Sequence, residues 1–414
     1  MSPKRIVLAT IGSLGDLHPM LTLALELKQR GHRVTVASTA YYRERVEGLE
    51  LDFCPLRPDW DPTDRELIAQ CADLKSGPEV LFRRLILPHL RATYDDLTAA
   101  VAGADLMIAG ELVYAAPLAA EKLGLRWASV ILSPISFFSA HDPSLLVNIP
   151  NAYRLRRAGW VVNRAILELG KLVSRHWWKP VRQLRRELGL RVQCDPVFKD
   201  KFSPKLVLAL FSRSLAQAQP DWPKRTVQPG FVYFDRNGIE DYSELEDFLA
   251  RGDAPVVFTL GSTAVHNPGN FYEASVAAAR QLGRRAVLLG ARHETLVGWA
   301  EILTLPYAPY SRIFPHAAAI VHQGGSGTTG QALRSGRPQL IVPYGWDQPD
   351  NGARLERLGV GLCLARSAYS AESVTTALSG LLTEPSFAAR AREVAAQVGS
   401  EEALMLACDA VEAI

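Results

Sequence analysis

Cysteine is scarce and scattered in this chain. Five residues in 414 (Cys54, Cys71, Cys194, Cys363, Cys408) form no C-x-x-C pair. That excludes a disulfide framework and a zinc knuckle, and it suits a reducing, cytoplasmic compartment. An excess of charge is missing as well. Lys+Arg is 46 and Asp+Glu is 43, a net charge of +3. A nucleic-acid-binding domain normally carries a large basic excess, so nucleic acid is not an expected partner. No run reaches about 18 uncharged apolar residues, so no spanning helix is expected. The longest candidate, 106–120, carries Glu111. A signal peptide is not expected either. Lys4 and Arg5 precede an apolar run that breaks at Gly12 and Asp16, with no A-x-A site behind it, so the run reads as a buried first strand. What remains, 48% hydrophobic and 21% charged, is ordinary globular composition, with room for two or three domains.

Residues 6–10 (IVLAT) are a continuous apolar run, as in a parallel strand buried on both faces. A glycine-rich loop, IGSLGDLH, follows. Pro19 suits the first turn of the helix MLTLALELKQR, which stops at Gly31, and GHRVTVAS returns as a strand. This β–loop–α–β order opens a doubly wound α/β sheet. It continues with a helix near 41–47, strands near 51–56 and 105–110, a helix near 115–123 and a strand near 127–133. The same grammar restarts at 255 with PVVFTLGS, NFYEASVAAARQLG, RRAVLLG, AAIVHQGG, TTGQALRSG and PQLIVPY. The expected organisation is an N-terminal domain over 1–215, a Pro-containing linker over 216–240 and a C-terminal domain over 241–398. A terminal helix over 399–414 follows, able to pack back on the first domain.

Residues 153–191 stand apart. They hold eleven Lys/Arg against Glu168 and Glu187, with Trp160, Trp177 and Trp178 interleaved. The local charge is thus +9 and the rest of the chain carries −6. The segment reads either as a solvated helical face or as a surface meeting an anionic membrane or an amphiphilic acceptor.

The chemistry concentrates in 305–352. His322-Gln323-Gly324-Gly325-Ser326-Gly327-Thr328-Thr329 lies at a strand end and opens a helix. Glycines there let backbone amides approach an anion, and the helix N-terminus adds positive potential. The hydroxyls of Ser326 and Thr328 and the ring of His322 can donate to phosphate oxygens. No Gly-Lys-Ser/Thr follows, so this is not a Walker loop. Asp347 and Gln348 follow the next strand and face the same crevice. A carboxylate and an amide together suit the adjacent hydroxyls of a sugar.

The segment resembles the C-terminal signature of family-1 glycosyltransferases with the GT-B fold. The likeness is strongest to the bacterial and sterol-glucosyltransferase-like branch, including the rhamnosyltransferase of rhamnolipid synthesis. GSLGD, GHRVTVAS and FTLGS extend it over most of the chain. The resemblance implies two Rossmann-like domains facing a central cleft and an inverting hexose transfer from a UDP- or dTDP-sugar, without metal or cofactor. The implied acceptor is a hydroxyl on a hydrophobic small molecule or lipid. For the donor it implies base contacts from Tyr307 and Ala308. Phosphate contacts fall to Gly261, Ser262, His322, Gly324, Gly325, Ser326, Gly327 and Thr328. Sugar contacts fall to Asp347 and Gln348. Gln331 stands where the plant branch has a ribose-binding glutamate, and that register shifts the family histidine onto Gln323.

Attack on an anomeric carbon needs a hydroxyl deprotonated as it attacks. The resemblance assigns this to Asp16, with His18 as rival base and Glu111 as the carboxylate that orients His18 or holds the acceptor. Trp60, Phe137, Phe138 and His141 are the candidate acceptor contacts, each open to a plain core role. A nucleotide-sugar epimerase of the same fold is the alternative, and it is expected to lack the Tyr-Ala-Pro to Asp-Gln signature.

Overall fold

The computed structural model describes residues 2–61, 63–73, 75–145, 157–235, 242–291 and 301–414. Two parallel sheets organise the chain. The first comprises β1 (Arg5–Ala9), β2 (Arg33–Ser38), β3 (Asp52–Pro55), β4 (Leu106–Gly110), β5 (Arg126–Ile131), β6 (Leu206–Ala209) and β7 (Thr226–Val227), in the order β3-β2-β1-β4-β5-β6-β7. The second comprises β8 (Val256–Thr259), β9 (Ala286–Leu289), β10 (Ile302–Leu305), β11 (Ala319–His322), β12 (Gln339–Ile341) and β13 (Gly361–Cys363), in the order β10-β9-β8-β11-β12-β13. Both are α/β sheets of Rossmann-like type. The central strands β1, β4, β8 and β11 are apolar on both faces because helices cover both. Ile6 and Leu8 enter one core while Val7 and Ala9 enter the other.

Strand order reverses between β1 and β4 in the first sheet and between β8 and β11 in the second. At such switch points the loops leaving the carboxyl ends diverge and open a crevice. The turn after β1 leads to Asp16 in the first turn of the following helix, and β4 ends one residue before Glu111. The loop after β8 carries Gly261 and Ser262, and β11 ends at His322, opening the glycine loop. The topology therefore delivers the catalytic and donor-binding candidates to two crevice edges.

Five helices matter for the site and its surroundings: α1 (Leu14–Gln29), α2 (Trp160–Ser174), α3 (Ser326–Ser335), α4 (Gln348–Leu358) and α5 (Ala403–Glu412). Helix α1 starts a turn earlier than the sequence suggests, so Pro19 lies inside it. The cause is a reciprocal cap: the Ser13 side chain and the Asp16 side chain each satisfy the other's end of the first turn. Helix α5 buries Ala403, Ala407, Cys408 and Val411 in the core of the first sheet, alongside Leu17 and Leu21 of α1. Arg30 of α1 clamps it through Asp409 at 2.6 Å and Glu412 at 2.8 Å.

One boundary differs from expectation. Strand β7 falls within 216–240, the stretch expected to be linker, and pairs with β6 through Val207–Thr226 and Leu208–Val227. Two residues of strand carry no readable alternation, so the sequence conceals it. The crossing that follows is anchored on both sides. The Tyr233 carbonyl accepts from Thr22 of α1, and the Tyr233 hydroxyl donates to Gly330 of α3 at 3.3 Å.

Candidate active site

Asp16 occupies the third position of α1, at the mouth of the first sheet. Its Oδ2 accepts from the Ser13 amide at 2.8 Å and from the Ser13 hydroxyl at 3.2 Å. Gly12, at φ +138°, has no Cβ because the Asp16 carboxylate fills that space. Oδ1 has no partner among the described residues and keeps its lone pairs. Burial at the cleft floor raises the carboxyl to about 7 from an ordinary 3.8. The Ser13 bonds oppose that shift, and the nearby charges of Glu111 and Asp347 add to it. Asp16 is thus both a helix cap and a carboxylate with the basicity of a neutral-pH base.

His18 is placed elsewhere. Its ring stacks on Phe234 of the crossing at 4.6 Å and 15°, and its Nε2 lies 3.5 Å from an Arg45 nitrogen. Burial, with the Arg45 charge, lowers its pKa to about 4. The histidine packs under the crossing, and Glu111 does not orient it. Glu111 instead accepts from Lys201 at 3.2 Å. Lys201 is buried, with its ammonium over the rings of Phe138 and Phe202 at 5.2 and 5.3 Å. No motif flagged Lys201. It lies in an irregular stretch, and only the fold brings it to Glu111.

The second sheet presents the glycine loop. Gly325 caps α3 with backbone alone, and no side chain bonds to the cap. The first-turn amides of α3 thus receive no side-chain cap, the condition for an anion site. Gly324, at φ +89°, has Ile341 and the backbone of Gln348 where a Cβ would stand. Gly327 has nothing within 4 Å of that position, so its outer face is open. The Tyr310 hydroxyl lies 2.9 Å from the Thr259 hydroxyl.

His322 does not reach this opening. It is fully buried, with Nδ1 accepting from the Gly324 amide at 3.1 Å and Nε2 lying 3.0 Å from Gln339 Oε1. Burial lowers its pKa to about 4, so the ring is neutral. Both nitrogens are spent holding the loop from below, which corrects the expectation that His322 meets pyrophosphate. The side chain between the turn after β8 and the glycine loop is Gln323. Its amide fills the space where Gly261 (φ +65°) and Gly325 lack a Cβ, and its Oε1 is buried without a hydrogen bond.

Asp347 accepts from Ser326 at 2.8 Å and from Asn351 at 2.8 Å. Burial pushes its carboxyl up and these bonds pull it back. Asn351 also donates to the Gly324 carbonyl at 2.9 Å, tying α4 to the glycine loop. Its position four residues after Asp347 is the signal that could have found it. Gln348 turns its Oε1 onto the amides of Tyr344 and Gly345 at 2.7 and 3.2 Å, leaving Nε2 as its remaining donor. Tyr307 is 58% exposed while Ala308 is buried. Ser262 sits in the short helical turn Gly261–Ala264, which α1 approaches across the cleft. Gln331 is diverted from the ribose role expected of it. Its Nε2 donates to Asp235 of the crossing at 3.0 Å, and its Oε1 is buried without a partner.

The acceptor candidates disperse. Phe137 is core, stacked on Trp222 at 4.0 Å and 9°, which removes it from the acceptor set. Phe138, with φ +49°, packs on Phe198 at 4.7 Å and faces the Lys201 ammonium. Trp60 is half-buried on the loop after β3, with an unpartnered indole N–H. His141 is exposed and stacks on Trp160 of α2 at 5.7 Å. Among the described residues no group of three His, Cys, Asp or Glu could hold a metal ion.

Residues 6–131 match the glycosyltransferase family 28 N-terminal domain, and residues 291–405 match the erythromycin biosynthesis protein CIII-like C-terminal domain. O-mycaminosyltylonolide 6-deoxyallosyltransferase of Streptomyces fradiae is 33% identical, over 99% of this chain and 97% of that protein. Two solved structures share the fold. Spinosyn forosaminyltransferase SpnP superposes with a TM-score of 0.74 at 19% identity, covering 100% of this chain and 99% of that one. Glycosyltransferase VinC in complex with dTDP gives 0.69 at 20% identity, covering 99% and 100%.

Proposed function

The chain belongs to the family-1 glycosyltransferases of GT-B fold, and from that premise we propose an inverting, metal-independent transfer of a 6-deoxyhexose from a dTDP-sugar to a hydroxyl of a hydrophobic, macrolide-type acceptor. The observation that carries the chemistry is Asp16. Its Oδ2 is fixed by Ser13, its Oδ1 is without a partner among the described residues, and its pKa is about 7. The choice of donor and acceptor is supported by the named activity of the Streptomyces fradiae relative and by the dTDP bound to VinC.

In this reading the acceptor hydroxyl gives its proton to Asp16 Oδ1 while its oxygen attacks the anomeric carbon from the face opposite the diphosphate. The new C–O bond forms as the bond to the phosphate oxygen breaks. The diphosphate leaves with the electron pair onto the first-turn amides of α3, which act as fixed positive ends. Gln323 supplies a neutral amide between the donor loops. Asp347, held by Ser326 and Asn351, takes the sugar hydroxyls, and the exposed Tyr307 ring stacks on the base. A mass-spectrometric screen of dTDP- and UDP-6-deoxyhexoses against macrolide and sterol acceptors tests the assignment. A glycosylated macrolide with dTDP released is expected, and turnover insensitive to excess EDTA supports the metal-free step. Turnover that collapses in EDTA and returns with magnesium overturns that step.

A further inference from the structure

Helix α2 is apolar on the side that ought to be polar. At about 100° per residue, Val161, Val162, Ala165, Leu169, Leu172 and Val173 share roughly 120° of arc. Val161, Leu169, Leu172 and Val173 are 61%, 60%, 66% and 64% exposed. The opposite side meets the protein through buried Asn163, whose amide donates to the Ala140 carbonyl at 3.2 Å. A surface helix normally buries its apolar stripe against its own core. Here the stripe faces away from the core, and such a surface marks an interaction site.

Charge decides what covers it. Arg157 precedes the helix, and Arg175, His176 and Lys179 follow it, all exposed. They belong to the 153–191 segment with its net +9, against −6 for the rest of the chain. A second copy seated on this stripe would bring two +9 segments together, which like-charge repulsion opposes. An anionic lipid surface meets both features, apolar side chains entering the acyl boundary and cations meeting headgroups.

We infer that the outward face of α2 is a reversible docking surface for an anionic membrane, its apolar stripe lying in the interface plane and its flanking cations on the headgroups. Among the described residues no helix is long and apolar enough to cross a membrane, so the contact is peripheral.

Flotation of the full chain with phosphatidylglycerol or phosphatidylcholine vesicles tests this, at low and at 0.5 M salt. Binding is expected on phosphatidylglycerol only, with a loss of at least tenfold at high salt. Leu169→Glu with Leu172→Glu should weaken binding at least tenfold while melting temperature and dTDP affinity stay as in the parent. No binding to phosphatidylglycerol at low salt overturns the inference. So does vesicle binding that the double variant leaves intact. Concentration-dependent dimerisation that the double variant abolishes also overturns it, because a second copy would then be the occupant.

Discussion

Asp16 carries two duties that pull its proton in opposite directions. As a cap it is stabilised by the Ser13 amide; at the cleft floor it is destabilised by burial beside Glu111 and Asp347. Burial wins, and the pKa of about 7 has two consequences. The kcat/KM profile should rise with slope one through about pH 7 and level off above it, because the base must be ionised. Stability should move the other way. The folded pKa lies above the ordinary 3.8, so this group's stabilisation is present below about pH 4 and is lost as pH rises through 7. Thermal melts of Asp16→Asn should therefore exceed the parent at pH 8 and do so by much less at pH 5. His322 and Gln323 separate the same way. His322→Ala strands the Gly324 amide and leaves a cavity, costing about 2–4 kcal/mol in denaturant melts. Gln323→Ala should leave the melt near the parent and lower dTDP affinity by about 3–10-fold in calorimetry, the scale of one neutral hydrogen bond. The sequence could not separate these neighbours. In a parallel strand both faces are apolar, so AAIVHQ has no alternation to show which way His322 points.

At the level of elements, the site depends on the backbone between β11 and α3. Gly324 takes a left-handed φ with Ile341 and Gln348 packed against it, whereas Gly327 stands in open space. Gly324→Ala should lower the melting temperature. Gly327→Ala should fold like the parent and raise the donor KM, because the new methyl stands where the diphosphate approaches. Both glycines are legible in HQGGSGTT, but their different duties come only from the packing around them. The strands around the switch points were legible as well, since IVLAT and PVVFTLGS are too apolar for anything but a doubly covered strand. Strand β7 was not, and neither was the early start of α1, where the Ser13–Asp16 cap outweighs Pro19. Lys201 and Asp235 were hidden for another reason. Their partners Glu111, Gln331 and Arg334 are 90 or more residues away, and no local pattern encodes such a contact.

On the scale of the molecule, the two sheets are latched at the end of the cleft formed by the chain after β5 and by α4. Arg354, buried on α4, pairs with Asp350 on its own helix at 2.7 Å and with Asp142 of the other domain, and the Leu145 amide donates to Asp350 at 2.7 Å. Removing Arg354 takes from Asp350 and Asp142 the buried cation they share, a loss of about 3–5 kcal/mol. Arg354→Ala should therefore destabilise the whole protein, read as a single cooperative transition at lower denaturant. The latch joins the two domains that carry Asp16 and the glycine loop, and on that juxtaposition the proposed chemistry rests. The most direct test is turnover by Asp16→Asn on a donor–acceptor pair that the parent enzyme converts, at pH 8. The variant keeps the shape and the Ser13 amide bond but has no base. The predicted result is a kcat lowered by about 100-fold or more with dTDP affinity within twofold of the parent. Near-parental kcat in Asp16→Asn would contradict the account.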